Sequence, residues 1–349
     1  MHKCLITLMT KRFETLAEER LQLAETISRL ERTGFTVDIC WVDKENEAHF
    51  IEQLQGAETV FCSGNPPLNR YVLENCPDLR LIQRDGIGVD SIDAVAATDC
   101  GILVCNVVGY CIEELAVNAL AMALANLRNT ARYDRQMRRG EWPKGGERAP
   151  RRLSTLTFGL FGFGGSGTAL AKIVRNGFGC RVLAFDPYPN RKQAEELGVE
   201  LVSFDEMLAG SDIVSVHAPL LKSTYHAFDR AAFSKMRPNA ILINISRGGI
   251  IDEDALAEAL ETGKIDSAGL DVFEHEPLPA SSRLLQLEQT ILSPHSSFQG
   301  VEARQKQIAL STLLPSRIIF SKEVYTKYLI NKDVLDHLTG YRVLHDLEA

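Results

Sequence analysis

The sequence predicts an α/β protein built from two doubly wound parallel sheets. Three observations carry this: β-type apolar runs alternate with helix-like segments from the start, the alternation begins afresh near residue 156, and a glycine-rich turn sits at that restart.

In the first series the strand-like runs are CLITLM, TVDICWV, TVFCS, LRLIQRD and ILVCN, with amphipathic stretches such as FETLAEERLQLAETISRLER between them. Leu16, Leu23, Ile27 and Leu30 recur at helical spacing and Gly34 follows as a stop, so this stretch is expected to form one sheet-covering helix. From Glu113 to Trp142 a long helical segment is apolar in its first half and basic in its second, as expected of a boundary element. The second series runs LTFGLFG, RVLAFD, ELVSF, DIVSVH, AILINIS, SAGLDV and TILS. The tail from Val301 is helical again, with Pro315 expected to end or kink it.

The bulk numbers fit this reading. A chain of 349 residues, 45% hydrophobic and 24% charged, is long enough for about two domains. No apolar run approaches the ~20 residues of a membrane span, and the N-terminus reads as a strand rather than a leader. Eight scattered cysteines without C-x-x-C pairs point to reduced, mostly buried thiols in a cytoplasmic protein, and none has the spacing of a metal ligand. A net charge of -8 argues against nucleic-acid binding. The basic cluster from Arg135 to Arg152 is better explained as a solvated arm.

Strand LTFGLFG runs directly into Gly162, Gly164, Gly165, Ser166 and Gly167, then into the helical TALAKIVRNG. This strand, turn and helix context makes a G-x-G-x-x-G specific: the glycines permit a tight turn, and N–H groups at the helix start face a pyrophosphate. The next strand ends at Asp186, nineteen positions past Gly167, where a carboxylate can accept from both ribose hydroxyls and repel a 2′-phosphate. NAD is therefore the expected cofactor. The alternative, a plain glycine turn with a strand-end Asp capping a helix, leaves the register of the two features unexplained. Arg191 and Lys192 are the features that would suit NADP.

Three more strand-end segments, INISRGGIIDEDALAEAL, AGLDVFEHEPL and ILSPHSSF, place polar groups at the carboxyl edge where open α/β sheets bind ligands. With RDGIGVDSID upstream, they resemble the D-isomer-specific 2-hydroxyacid dehydrogenase family, which includes phosphoglycerate dehydrogenases, and the resemblance covers nearly the whole chain. It implies a Rossmann NAD-binding domain, residues 107–297, inserted into a discontinuous flavodoxin-like substrate domain made of residues 1–106 and 298–349.

Carried over by position, the resemblance implies that Arg247 grips the substrate carboxylate and carbonyl oxygen, a task suited to its planar fork. His295 is implied as the acid/base and Glu276 as the carboxylate that fixes its tautomer. Asp271 would hold the nicotinamide carboxamide, with Ile245 and Pro219 lining the cofactor cleft. Gly86, Ile87 and Gly88 would bind the substrate carboxylate through backbone N–H groups, with Arg84 either adding its charge or simply pairing with Asp85. His217 invites a catalytic reading but is assigned backbone hydrogen bonding only.

Some positions depart from the family pattern. Cys111 stands where many relatives have Asn, Val117 where they have an acidic residue, and Cys62 where phosphoglycerate enzymes carry a basic side chain. Cys62 therefore favours an unphosphorylated 2-oxo acid as substrate. Formate dehydrogenases replace the Glu partner of the histidine with Gln, so Glu276 argues against them. The C-terminal-binding corepressors, which use this architecture as an NAD-binding interaction module, are the alternative; they carry Trp three residues after the histidine, where this chain has Phe298. The resemblance further implies a homodimer in which the segment from Glu113 to Arg152 packs on a second copy.

Overall fold

The computed structural model describes residues 2–9, 14–142 and 149–347; part of the basic arm lies outside them. The chain forms two compact units. Unit 1 holds residues 1–110 and 301–349, and unit 2 holds residues 111–300. These divisions fall a few residues beyond the expected cuts at 106 and 297.

Unit 1 begins with β1 (His2–Leu8), α1 (Leu16–Gln22), α2 (Ala24–Arg32), β2 (Phe35–Trp41), α3 (Glu47–Leu54), β3 (Thr59–Ser63), α4 (Arg70–Glu74), β4 (Leu81–Arg84), α5 (Ala94–Asp99) and β5 (Leu103–Cys105). Its strands form one parallel sheet in the order β2-β1-β3-β4-β5, the flavodoxin-like arrangement. The single helix expected before Gly34 is two helices that meet at Leu23. A capping box, Thr15 with Glu18, starts the first of them.

Unit 2 contains α6 (Ile112–Leu127), α7 (Thr130–Arg138), β6 (Thr157–Phe161), α8 (Gly165–Phe178), β7 (Arg181–Phe185), α9 (Arg191–Leu197), β8 (Glu200–Leu201), α10 (Phe204–Gly210), β9 (Ile213–Val216), α11 (Arg230–Lys235), β10 (Ile241–Asn244), α12 (Glu253–Glu261), β11 (Ser267–Leu270) and β12 (Thr290–Leu292). The seven parallel strands are ordered β12-β11-β10-β9-β6-β7-β8. The order reverses between β6 and β9, which places a ligand crevice at their carboxyl ends. The strands are buried on both faces, as their near-continuous apolar runs require. The long boundary helix is broken at Asn129, whose left-handed backbone (φ 55°) separates α6 from α7.

The chain returns to unit 1 with α13 (Val301–Ile319), β13 (Glu323–Tyr325) and β14 (Arg342–Leu344). Pro315 does not end α13. It removes one backbone donor, at a typical cost of about 3 kcal/mol, but Leu314, Pro315, Ile318 and Ile319 are all buried. Core packing outweighs the lost bond. Asn331 fastens the tail to the sheet by accepting from Val104 N and donating to Ile102 O.

Candidate active site

The cofactor turn is built by steric necessity. A side chain at Gly162 (φ +100°) would meet Ala218 N at 2.7 Å, and one at Gly167 would meet Gly162 O at 2.4 Å. Gly164 is different: nothing lies within 4 Å of where its Cβ would be. The open side of the turn is the side a dinucleotide would occupy, and α8 starts there with its free N–H groups. Asp186 Oδ2 accepts from Phe163 N and Oδ1 from Tyr188 N, both at 2.8 Å, which fixes the carboxylate beside the turn. These residues fit a dinucleotide.

Ser166 bonds His217 Nδ1 at 3.0 Å, and Ser215 bonds Nε2 at 2.9 Å. The partners of His217 are thus hydroxyls rather than the backbone groups expected. Burial pushes its imidazole down to about 4, so the ring is neutral and carries one N–H. Ser215 is fully buried and its hydroxyl has no other partner among the described residues, so it must donate to Nε2. The ring proton then sits on Nδ1 and is donated to Ser166, whose own hydroxyl proton is left to point outward.

Gly248 explains how the loop after β10 reaches the DVFE segment. A Cβ there would lie 1.9 Å from the Phe273 carbonyl carbon, so the two backbones touch. Arg247 stands just before that contact. Its Nη1 donates to Ser246 O at 2.7 Å, and Asn244 Nδ2 donates to the Arg247 carbonyl at 2.9 Å.

Glu276 Oε1 accepts from Phe273 N at 3.1 Å, and Oε2 accepts from His295 Nδ1 at 2.7 Å. Burial alone would raise the Glu276 carboxyl, yet the His295 bond and charge, the Phe273 N–H and the charge of Arg247 hold it below the usual range. Arg247, Glu276 and His295 are thereby one electrostatic group. Glu274 belongs elsewhere, 3.2 Å from His226.

Asp271 lies next to this group but does not face outward. It is fully buried, and its carboxylate accepts from Ser296 N, Ser297 N and the Ser293 hydroxyl, while its carbonyl accepts from His295 N. Its visible work is to hold the loop that carries His295, whose backbone is left-handed (φ 49°). Ile245 is likewise packed in the core, whereas Pro219 is exposed. The sequence showed the positions of these residues but not their burial.

In unit 1, Arg84 donates to Cys62 O and Gly88 O and pairs with Asp85. The guanidinium thus clamps its own loop, and the Asp85 pairing is one of the two roles expected of it. Cys62 is buried in the core and its thiol is pushed up to about 12. Its side chain cannot face a substrate phosphate, so its identity carries no information about phosphorylation.

The fold and the glycine turn define a doubly wound, NAD-binding dehydrogenase. The family model described as D-isomer specific 2-hydroxyacid dehydrogenase, NAD binding domain, matches residues 120–297. The chain belongs to this family of NAD-dependent oxidoreductases acting on CH–OH groups. It is 37% identical over 292 residues to the glyoxylate reductase of Thermococcus litoralis, covering 82% of this chain and 87% of that one. It is 34% identical to the D-3-phosphoglycerate dehydrogenase of Methanocaldococcus jannaschii, covering 87% of this chain and 56% of that one. The chain thus spans only about half the length of such phosphoglycerate dehydrogenases. The crystal structure of D-lactate dehydrogenase from Aquifex aeolicus, complexed with NAD and lactic acid, superposes with a TM-score of 0.78 at 26% identity, covering 91% of this chain and 96% of that one. Among the described residues no helix is long and apolar enough to cross a membrane, and no group of three His, Cys, Asp or Glu could hold a metal ion.

Proposed function

We propose that the chain interconverts a small 2-oxo acid and its D-2-hydroxy acid, with Arg247, Glu276 and His295 as the catalytic residues. The observation that carries this is the 2.7 Å bond between Glu276 and His295, with Arg247 lowering the same carboxyl. NADH, when bound, supplies the hydride. His295, its Nδ1 held by Glu276, offers Nε2 as the proton donor to the carbonyl oxygen, and takes the hydroxyl proton in the oxidative direction. Arg247 would hold the carboxylate and polarise the carbonyl. The N–H groups of Gly86, Ile87 and Gly88 have no acceptor among the described residues and would take the carboxylate as well. The cofactor would rest on Gly162, Gly164, Gly165, Ser166 and Gly167, with Asp186 on the ribose.

An unphosphorylated substrate is the preferred reading. Support comes from the likeness to the glyoxylate reductase of Thermococcus litoralis, 37% identical over 82% of this chain. Steady-state assays with NADH, comparing glyoxylate, pyruvate and 3-phosphohydroxypyruvate, test this. A strong preference for the phosphorylated acid would overturn it.

The same reading makes the enzyme a cytoplasmic homodimer. Exposed Val117, Met137 and Trp142, on or just after α6 and α7, supply apolar surface for a second copy. A sedimentation mass of one chain at micromolar concentration would count against the dimer.

A further inference from the structure

The loop after β4 orders its peptide groups in a way its glycines do not require. Five consecutive carbonyls are met by donors from within unit 1. Gln83 Nε2 donates to Arg84 O at 2.8 Å, Gln307 Nε2 to Asp85 O, and Val107 N to Gly86 O at 3.1 Å. Asn106 Nδ2 donates to Ile87 O at 2.8 Å, and Arg84 Nε to Gly88 O at 3.0 Å.

In a trans peptide the C=O and the following N–H point opposite ways. Carbonyls held inward at Asp85, Gly86 and Ile87 therefore turn the N–H groups of Gly86, Ile87 and Gly88 outward. Those are the groups left without an acceptor among the described residues.

Three of the five donors are side-chain amides from segments far apart in the chain: Gln83 in β4, Asn106 just after β5, and Gln307 in α13. All three are buried. Among the described residues, Gln83 Oε1 and Asn106 Oδ1 have no hydrogen-bond partner of their own. A buried amide oxygen left unpaired opposes folding, and an apolar side chain of the same size would avoid that. The amides are explained by their N–H groups.

We infer that Gln83, Asn106 and Gln307 are positioning residues that hold this loop's carbonyls inward, so that its N–H groups stand preformed as the site for the substrate carboxylate. This rests on the reading that the loop takes the carboxylate. The amides remove the loop's freedom to rotate a carbonyl toward the anion. Without them, binding must first order the loop, and affinity falls by the populated fraction of the competent state.

The test uses the full chain at saturating NADH with glyoxylate, and glycolaldehyde as a probe lacking the carboxylate. Gln307→Met keeps the volume and deletes the donor. It should raise KM for glyoxylate about tenfold, change kcat less than threefold, and leave NADH affinity and glycolaldehyde reduction at wild-type values. Gln83→Met serves as the second variant if the first fails to fold. Ile87→Pro removes one loop N–H and tests the underlying reading. If Ile87→Pro raises KM while both methionine variants keep the wild-type KM, the amides are only packing and the inference is wrong. If Ile87→Pro itself leaves KM unchanged in a folded protein, or glyoxylate is not reduced by the wild type, the carboxylate reading fails first. Equal loss with both probes would also overturn the inference, because it marks a general structural effect.

Discussion

Glu276 Oε2 lies 2.7 Å from His295 Nδ1 while Glu276 Oε1 is tied to Phe273 N. The carboxylate is thus anchored at one oxygen and orients the imidazole with the other, which leaves Nε2 as the working nitrogen. His295→Ala should lower kcat for the best 2-oxo acid by roughly 10² to 10⁴, with NADH affinity nearly intact. Wild-type turnover by this variant, under conditions where chemistry limits kcat, would remove His295 from the mechanism.

Glu276→Gln keeps a hydrogen-bond partner but removes the negative charge that favours imidazolium. Because the Glu276 carboxyl is held below the usual range, its charge persists through mildly acidic pH. Reduction needs the protonated ring, so the variant should lose activity at a lower pH than the wild type does as pH rises. Its deficit should therefore grow as pH rises. A deficit independent of pH would show that the charge does not act on the proton donor.

Gly248→Ala should be severe although no functional side chain is removed. The added methyl would overlap the Phe273 backbone at 1.9 Å, and neither strand-end segment has a flexible side chain there to yield. The segments must separate, moving Arg247 away from Glu276. We expect about 1–3 kcal/mol of destabilisation together with loss of activity. Thermal unfolding and kcat/KM measured on the same preparation would check both, and an active variant of normal stability would show that the contact is dispensable.

Periodicity and local motifs made both sheets and the glycine turn readable from the sequence, because each depends on neighbours within about one strand and one helix. What depended on tertiary contact was not readable. The left-handed Asn129 breaks a segment that reads as one continuous helix, and buried Pro315 sits inside a helix that its own chemistry opposes. Cys62, Ile245 and Asp271 could be placed at a motif position, but not inside or outside the core. Gln83, Asn106 and Gln307 share no spacing; only the polar ending of the ILVCN strand at Asn106 hinted that an amide was wanted there.

Asp186 should enforce NAD over NADP. Its carboxylate is fixed by two backbone N–H groups and cannot swing away from an added 2′-phosphate without breaking both bonds. We expect at least about tenfold higher catalytic efficiency with NADH than with NADPH, about 1.4 kcal/mol. Asp186→Ser should narrow that ratio, with Arg191 and Lys192 close by in sequence to favour a phosphate. Equal efficiencies in the wild type would contradict this account of the strand end.

Ser166 gives the last prediction, which concerns ligand affinity rather than turnover. With the ring proton of His217 on Nδ1, the Ser166 hydroxyl accepts from the ring and keeps its own proton for an acceptor on the open side of the glycine turn. A hydrogen bond to a charged phosphate oxygen is worth about 1.5–3 kcal/mol, so Ser166→Ala should weaken NADH at least about tenfold. ADP should weaken similarly, because it carries the phosphates, while adenosine should bind as it does to the wild type. Ser166→Thr retains the hydroxyl and should recover most of the affinity. Because burial holds His217 neutral down to about pH 4, this contribution should be flat across the neutral range. Nitrogen NMR of the imidazole should report the proton on Nδ1. Wild-type ADP affinity in Ser166→Ala, or a ring protonated on Nε2, would reverse the hydrogen-bond directions deduced for this relay.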